Sequence, residues 1–526
     1  MTLLVGLVEF CMAMSSIPPL NVSDRPATTP RRWFRLIALG SLGLYALLCV
    51  TVWAEESWRP HWDSATYLLT AKSLAAGEGY TYQGKPFFLR PPGFSFLLSL
   101  FVEEGEYDMK VVVRAVMATV AAAVVAIYFA VRTVYGPWTA LAVALLTGVS
   151  PLFVRNFNWV LSDFPFAALF FSAVACLHIS ARRSRGWWSL SVAGAVLLAG
   201  ALYMRTTGIL LLPGMLLLGL TRDRGWGRWR ALLPVVLVSI AIAPWLHHSA
   251  RSAESAESPS EQLFVYDYKT GMFHVDPGDP TSPYLDLEGW LERLAKFGPR
   301  GASELARCIL PVAHPVATWG VLLVVFLGLF LSARRQPSLL EWFALTYGLL
   351  LVTYFDYSQR LVMLLTPFAY LYLLVAAGAV GRLLAKRLSR PLLERATVGT
   401  AVVLLLALNA WQIPAMLDAR PARGAAGPGR QKLENLVEWV RTSTPEDAVI
   451  LCDAAPIFAF LTGRPTATYR YYRGPGLIDR VNASFVVFDA LVPPEFIPEA
   501  MARADGFWKL EKGGNGRVGA LRVRPR

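Results

Sequence analysis

An aspartate and a tyrosine in the segment 55–110, here called the first loop, have the spacing of residues that could act together. Asp63 precedes Tyr67 by four positions, so the two side chains would share one face of a helix that begins there. The first loop follows a long apolar run and carries several aromatic residues. A carboxylate in this setting is placed to act at the boundary between water and lipid. The structural alternative is that Asp63 only caps a helix of residues 64–75.

A second aspartate and four arginines also stand at the ends of apolar runs. Asp163 directly precedes the run 164–181, where it could contribute a carboxylate to a site or cap the helix, with Pro165 in the first turn. The arginines are Arg90, Arg155, Arg205 and Arg360. A guanidinium group binds phosphate through two parallel hydrogen bonds, so at least one of the four is expected to bind a phosphate group. Alternatively, an arginine at a helix end extends its charge from lipid into water.

The histidines do not have the spacing of a metal site. His247 and His248 are adjacent at the end of one apolar run, whereas His61, His274 and His314 are scattered. A metal site needs further ligands at close spacing, so histidines at the membrane interface are the favoured interpretation. The sequence requires no cofactor and predicts no metal ligand, and dependence on a divalent metal stays open.

The elements that must position these residues are long apolar segments. Of the 526 residues, 55% are hydrophobic and 17% are charged, against about a quarter charged in an ordinary soluble domain. Apolar runs of about 20 residues, the length that crosses a bilayer, recur between Leu36 and Ile413. The net charge of +13 lies mainly in short loops between these runs, as the positive-inside rule requires. This placement argues against nucleic acid as a partner.

The sequence predicts a polytopic α-helical membrane protein with about eleven spans. They are 36–54, 111–131, 138–154, 164–181, 189–203, 208–220, 231–246, 315–333, 338–355, 361–378 and 396–413. Arginine and lysine then concentrate on alternate loops, which are expected to face the cytoplasm. Residues 1–35 are predicted to be a cytoplasmic segment and residues 36–413 the membrane domain. The first loop and the loop 247–314 are expected on the opposite side.

The run 189–220 is the least regular part of this topology. Arg205 interrupts it, and both of its flanks are strongly basic, so both flanks are expected in the cytoplasm and the run must cross an even number of times. Two short helices with Arg205 at the outer tip meet this condition. Helices this short require a thinned bilayer or close neighbours.

Residues 414–526 predict a small extracytoplasmic α/β domain. Helical spacing marks residues 433–440, and the apolar runs 448–452 and 484–488 are typical of buried strands. Two further strand-like runs near the end are separated by a Gly-rich turn. Residues 422–429, rich in Gly, Ala and Pro, predict a linker. The tail has no Gly-rich phosphate loop, so nucleotide binding is not expected there.

Several motifs of the first loop, taken in order, resemble the GT-C glycosyltransferases. The acid-x-x-x-Tyr-Leu segment at Asp63 is followed by Ala-Gly-x-Gly-Tyr at residues 76–80 and by Arg-Pro-Pro-Gly at residues 90–93. Within that superfamily the sequence is similar to protein O-mannosyltransferases and lipid A aminoarabinose transferases. That branch includes galacturonosyl- and mannosyltransferase-like domains of bacterial lipopolysaccharide assembly. The resemblance covers residues 36–380 and rests on motif order together with topology.

The resemblance implies a membrane enzyme that transfers a sugar from a polyprenyl-phosphate donor to an extracytoplasmic glycan, lipid or protein acceptor, with inversion at the anomeric carbon. In such enzymes the acid of the first loop is the general base, which implies that role for Asp63. The chemistry requires one, because the acceptor hydroxyl loses its proton as it attacks. Asp163 is similar in setting to a family acid that binds the acceptor or assists the base.

The resemblance and the positions of the residues together predict the substrate contacts. They are Tyr67, Arg90, Arg155, Arg205 and Arg360. Arg205 and Arg360 match positions where the family carries arginine. The chain also departs from the family pattern. A second acid often follows the first, where this chain has Ser64, and Arg360 is followed by Leu361 rather than by an aromatic residue.

Two other interpretations stay open. A transporter or flippase of lipid-linked sugars would be polytopic too. Transporters usually carry charged residues near the middle of their spans, whereas the acids and arginines here lie at the ends of apolar runs. A non-catalytic relative is also compatible with the sequence. The expected location is the cytoplasmic (inner) membrane, with the N-terminus in the cytoplasm and the C-terminal domain outside it.

Overall fold

The computed structural model describes most of the chain. The described residues are 32–56, 58–183, 185–221, 227–255, 268–276, 281–310, 314–335, 337–354, 359–423, 428–469, 476–488, 500–502, 504–513 and 516–523. The predicted cytoplasmic segment 1–35 lies outside them except for residues 32–35. Those four residues are helical, so the first helix begins before the predicted span 36–54.

Helices account for most of the described residues before residue 424. Their sequences are continuous apolar runs, and a helix satisfies its backbone polar groups internally where lipid offers no partner. The helices are α1 (Arg32–Thr51), α2 (Trp62–Ala75), α3 (Gly93–Ser99), α4 (Met109–Tyr135), α5 (Pro137–Gly148), α6 (Pro151–Arg155), α7 (Asp163–Ser180), α8 (Trp187–Met204), α9 (Leu211–Thr221), α10 (Gly227–Ser255), α11 (Tyr268–Phe273), α12 (Leu287–Ile309), α13 (Pro315–Arg335), α14 (Leu339–Thr353), α15 (Gln359–Val362), α16 (Thr366–Arg387) and α17 (Leu392–Arg423).

Within the described ranges, nine helical segments are long and apolar enough to cross a membrane. They are α1, α4, the combined α5–α6 segment, α7, α8, residues 232–252 of α10, α13, the segment 360–387 across α15 and α16, and residues 392–414 of α17. The remaining two predicted spans, 208–220 and 338–355, correspond to the shorter apolar helices Thr206–Leu218 and Leu339–Thr353. Every predicted apolar segment is therefore helical, and the chain is a polytopic membrane protein.

The chain breaks at Arg205, where the sequence predicted an interruption. Helix α8 ends at Met204, Arg205 is extended with a φ of −154°, and a 3-10 turn, Thr206–Leu210, leads into α9. The last membrane helix, by contrast, does not stop at Ile413, because α17 continues to Arg423.

The membrane helices pack around α7. It contacts α4 and α8 along its length, and 83% of its apolar window is buried inside the protein, against 11% for α17. Helix α7 is therefore the centre of the bundle, and α17 lies at its periphery. Exposed leucines on α1 and α13, such as Leu36 and Leu323, are the surface that such a bundle presents to lipid.

The first loop folds into elements of its own. Helices α2 and α3 enclose a hairpin of β1 (Thr81–Tyr82) and β2 (Lys85–Pro86), and a second hairpin, β3 (Val102–Glu103) with β4 (Glu106–Tyr107), precedes α4. The sequence analysis predicted α2 but neither hairpin. Their strands are two residues long, too short for an alternating pattern to be visible.

The C-terminal part is an α/β domain, as predicted. Its elements are α18 (Pro428–Ser443), β5 (Ile450–Cys452), α19 (Ala455–Thr462), β6 (Thr466–Thr468), α20 (Leu477–Arg480), β7 (Phe485–Phe488), β8 (Ala504–Gly513) and β9 (Gly516–Val523). The sheet order is β6-β5-β7-β9-β8, in which β5 is parallel to β6 and β7, and β9 is antiparallel to β7 and β8.

Both ends of the predicted linker 422–429 are helical. Its first two residues end α17, and Pro428 begins α18, which leaves residues 424–427 outside the described ranges. Pro is well tolerated at the first position of a helix, because the missing N–H has no partner there. Composition alone could not distinguish this helix start from a linker.

Candidate active site

Asp63 lies in the first turn of α2 and is not its cap. The N-cap is His61, whose Nδ1 accepts a hydrogen bond from the backbone N of Asp63 at 3.2 Å. The capping interpretation of Asp63 is therefore wrong, because a neighbouring polar side chain performs that role. The carboxylate sits near the positive end of the helix dipole, which stabilises its charge.

Two arginines from distant parts of the chain meet at the Asp63 carboxylate. Nη2 of Arg90 donates to one carboxylate oxygen, and Nη2 of Arg360 donates to the other. All three side chains are largely buried, with 9–15% of each exposed. Arg90 follows the β1–β2 hairpin and Arg360 lies on α15. The structure thus brings together three residues that the sequence analysis proposed separately.

Each of these arginines keeps a buried donor that bonds no described atom. They are Nη1 of Arg90 and Nε of Arg360. A buried unpaired donor costs about 1–3 kcal/mol, so a site with two of them suits an anionic ligand. The Asp63 and arginine side chains together form what we call the Asp63 cluster.

Tyr67 contacts both Arg90 of the Asp63 cluster and the residue before α7. The guanidinium carbon of Arg90 lies 5.4 Å from the centre of the Tyr67 ring, close enough for a cation–π contact. The Tyr67 hydroxyl forms a hydrogen bond of 3.0 Å with Oγ of Ser162. Tyr67 is 4% exposed. Its contacts indicate that it positions Arg90 and joins the cluster to the start of α7.

A second buried ion pair lies beside Ser162. Asp163 is the first residue of α7, with Ser162 in the N-cap position, so the alternative in which Asp163 is the N-cap is wrong. Oδ1 of Asp163 accepts a hydrogen bond from Nη1 of Arg205, and its Oδ2 is buried without a described hydrogen bond. The charge of Arg90 also acts on this carboxylate. The break after α8 is what carries Arg205 to Asp163.

Arg155 belongs to a different cluster. It ends α6, and its Nη2 lies 3.4 Å from Oε2 of Glu304 on α12, which also pairs with Arg307. The structure therefore does not bring Arg155 to either aspartate. Glu304 was missed by sequence reasoning, because no local pattern links two residues 149 positions apart.

Tyr80 is a further residue that holds the site together. Its hydroxyl donates to the backbone oxygen of Arg90 at 2.9 Å, which fixes the start of the Arg-Pro-Pro-Gly segment. Tyr80 closes the Ala-Gly-x-Gly-Tyr motif, so the sequence did carry a signal for it.

Neither aspartate lies in a cluster of potential metal ligands. Across the described residues, no group of three or more His, Cys, Asp or Glu side chains converges in a way that could hold a metal ion. Asp63 and Asp163 are instead partnered by arginines.

Solved structures of two other proteins have a similar fold. ArnT from Cupriavidus metallidurans in the apo state aligns with a TM-score of 0.57 at 13% identity, over 92% of this chain and 98% of that one. The same protein bound to undecaprenyl phosphate gives a TM-score of 0.56 at 13% identity, over 93% of this chain and 98% of that one. The archaeal oligosaccharyltransferase AglB from Archaeoglobus fulgidus, in complex with an inhibitory peptide and a dolichol-phosphate, gives 0.57 at 14% identity, over 93% of this chain and 74% of that one.

This architecture defines the class of the protein as a polytopic membrane protein whose fold is similar to those of ArnT and AglB. The sequence agrees with the fold. Residues 89–248 match the family described as dolichyl-phosphate-mannose-protein mannosyltransferase. No curated protein matches the chain in sequence. The family match covers less than a third of the chain, and the similarity in fold extends over most of it.

Proposed function

We propose that the protein transfers a sugar from a polyprenyl-phosphate-linked donor to an extracytoplasmic acceptor. The observation that carries this proposal is the Asp63 cluster, in which two buried arginines converge on one carboxylate and each keeps an unpaired donor. The solved structures with undecaprenyl phosphate and with dolichol-phosphate support a lipid phosphate as the ligand of this fold.

In this proposal Arg90 and Arg360 bind the donor phosphate. Negative charge grows on the phosphate as its bond to the anomeric carbon breaks. Guanidinium groups already fixed in a mostly buried site stabilise that charge without reorganising. Their geometry also allows paired hydrogen bonds to phosphate oxygens. Polyprenyl phosphate is the leaving group, so no general acid is required.

Asp63 acts as the general base in the same step. The acceptor oxygen forms a bond to the anomeric carbon on the face opposite the phosphate, its proton passes to the carboxylate, and the configuration is inverted. Both oxygens of Asp63 are paired with arginines in the structure. The donor phosphate therefore competes with Asp63 for the arginines, and its binding releases the carboxylate for proton transfer.

Asp163 has the role of holding a substrate hydroxyl. Its Oδ1 is fixed by Arg205, and its buried Oδ2 is available to accept a hydrogen bond. The contact of Tyr67 with Ser162 links this carboxylate to the Asp63 cluster. An acceptor hydroxyl bound at Asp163 would be oriented relative to the donor held by the arginines.

The test is sugar transfer by the purified protein in detergent, with a panel of polyprenyl-phosphate sugars and release of polyprenyl phosphate as the readout. Wild type is expected to release polyprenyl phosphate, and Asp63→Asn is expected to bind the lipid without turnover. Glu103→Gln, an exposed acid of the same loop, is the matched control and should react like wild type. Turnover by Asp63→Asn at the wild-type rate would remove Asp63 as the base. Binding without reaction by every protein would favour transport of the lipid-linked sugar.

A further inference from the structure

The C-terminal domain makes direct contact with the loop that carries Asp63. Helix α19 packs against α2. One face of α19 belongs to the core of its own domain through Ala455 and Phe458, whereas Ile457, Phe460 and Leu461 pack against the core of the membrane domain. A helix with apolar residues on two faces can pack against two domains at once. Here the second domain is the membrane domain, through α2, the helix that carries Asp63.

Phe460 is the centre of this contact. Its ring lies 5.3 Å from that of Trp58, which precedes α2, and 6.2 Å from that of Tyr107 on β4. Nζ of Lys72 on α2 lies 5.5 Å from the centre of the Phe460 ring and forms a 2.9 Å salt bridge with Glu106. Phe460 thus contacts Trp58, just before α2, and Lys72, near the C-terminal end of α2.

Tyr107 ties the same contact to the middle of α2. Its hydroxyl donates to the backbone oxygen of Leu68 at 2.9 Å. Burial, with a smaller contribution from Glu106, raises the pKa of Tyr107 above its ordinary value. The hydroxyl therefore remains a hydrogen-bond donor at neutral pH, and the Phe460 contact extends to the backbone of α2.

Gln83 makes the second contact, between the β1–β2 turn and the edge strand β6. Its Nε2 donates to the backbone oxygen of Thr466 at 3.3 Å and lies 3.2 Å from Oγ1 of the same residue. The backbone N of Thr466 donates to Oε1 of Gln83 at 2.8 Å. The side-chain amide thus presents the donor and acceptor that a neighbouring strand would offer. Thr466 is 2% exposed.

Hydrogen bonds and short stretches of backbone together connect Gln83 to Arg90. The hairpin pairs Tyr82 with Lys85, and the backbone N of Phe87 donates to the oxygen of Tyr80 at 2.9 Å. The Tyr80 hydroxyl then donates to the backbone oxygen of Arg90. Strand β6 of the C-terminal domain is therefore linked to the arginine that holds Asp63.

We infer that the C-terminal domain positions the catalytic groups, with Phe460 acting on the Asp63 helix and Gln83 acting on Arg90. The two contacts reach two of the three members of the Asp63 cluster, and both members lie in the first loop. A site of this kind loses about a hundredfold in rate when its groups move by about 1 Å. Phe460 and Gln83 are positioning residues, because they act through α2 and the hairpin.

The experiment compares Gln83→Ala and Phe460→Ala with Arg464→Ala in the full-length protein. Arg464 donates to the backbone oxygens of Arg441 and Thr444 within the C-terminal domain. Its loss weakens that domain without touching the first loop, so it controls for stability. The measurements are kcat, KM for the donor, the unfolding temperature in detergent and the Kd for polyprenyl phosphate.

This inference rests on the proposed function. Phe460→Ala is expected to lower kcat about tenfold with little change in donor KM. Gln83→Ala is expected to weaken polyprenyl phosphate binding about fivefold, because Arg90 is displaced. Phe460→Tyr, which keeps the ring, should restore kcat. Arg464→Ala should lower the unfolding temperature and leave kcat and Kd near wild type.

Two outcomes would overturn the inference. In the first, loss of activity follows the unfolding temperature across all three alanine variants, which would make the contacts merely structural. In the second, both contact variants keep the wild-type kcat and Kd. Absence of transfer by wild type contradicts the proposed function instead. The Kd for polyprenyl phosphate then still decides whether Gln83 positions Arg90.

Discussion

Asp63 has both carboxylate oxygens occupied by guanidinium groups, so its state depends on what else the arginines can bind. A carboxylate and a phosphate compete for the same donors. In the proposed function, a phosphate that binds both arginines therefore competes with Asp63 for their donors. Asp63 would therefore both accept the proton and compete with phosphate for the arginines. A single substitution of Asp63 can separate these two effects.

Asp63→Asn is expected to bind polyprenyl phosphate about fivefold more tightly than wild type while losing sugar transfer. Removing the competing anion raises the fraction of sites whose arginines are open to phosphate. The measurement is a binding titration with polyprenyl phosphate, with Glu103→Gln as the control. Weaker binding by Asp63→Asn would show that Asp63 orients the arginines for phosphate and does not compete with it.

Arg205→Ala is expected to destabilise the protein by about 3 kcal/mol, because it leaves the Asp163 carboxylate buried and unpaired. The double variant Arg205→Ala, Asp163→Ala should unfold at a higher temperature than Arg205→Ala alone, since no buried charge is left. Thermal unfolding in detergent measures both. Equal destabilisation of the single and double variants would show that the Asp163 charge finds other partners.

Close packing between two helices requires a glycine at one position of the bundle. Gly328 on α13 faces the backbone of Tyr372 on α16 so closely that a Cβ at this position would overlap the Tyr372 carbonyl oxygen. Small residues at helix contacts let backbones approach in membrane proteins. The α13–α16 contact therefore depends on the absence of a side chain at Gly328.

Gly328→Ala is expected to lower the unfolding temperature clearly, with a cost of about 2 kcal/mol from overpacking. Gly320→Ala on the same helix is the matched control, because a Cβ there meets no atom within 4 Å. It should leave the unfolding temperature unchanged or raise it slightly, since alanine favours a helix. Similar effects of both variants would mean that helix propensity, and not the contact with Tyr372, determines the result.

The elements were largely predictable from the sequence, whereas the contacts between them were not. Apolar runs of membrane length predicted the helices, and Arg205 within the run 189–220 predicted the break between α8 and α9. The alternative in which Asp63 caps α2 is wrong, because His61 lies two positions earlier and performs that role. The pairing of Arg360 with Asp63 joins residues 297 positions apart, and no local pattern encodes it.

In the whole molecule, the membrane domain and the C-terminal α/β domain meet at the first loop. The sequence predicted an α/β domain after the membrane helices but gave no sign that it would rest on α2. Phe460 is one aromatic residue in a short apolar helix, and Gln83 lies in a turn. Only the folded arrangement shows that both contact the loop of Asp63 and Arg90.

The orientation of the molecule gives a further prediction. Cysteines introduced at the exposed positions Lys85 and Arg387 should be labelled from opposite sides of the membrane. Lys85→Cys is expected to react with an impermeant maleimide from outside intact cells, and Arg387→Cys only after lysis, because basic loops stay in the cytoplasm. The background is the variant Cys11→Ser, Cys308→Ser, because the other three cysteines, Cys49, Cys176 and Cys452, are buried. Labelling of Arg387→Cys in intact cells would show that the orientation is the reverse of the predicted one.

The hydrogen bonds of Gln83 have a consequence for the sheet itself. Strand β6 lies at an edge of the sheet, and an open edge pairs with any extended chain that comes near. The amide of Gln83 occupies the backbone N and O of Thr466, so it closes part of this edge. A protein that loses this one amide would expose the backbone N and O of Thr466 to its neighbours. It would then form oligomers through the C-terminal sheets while its membrane helices remained intact.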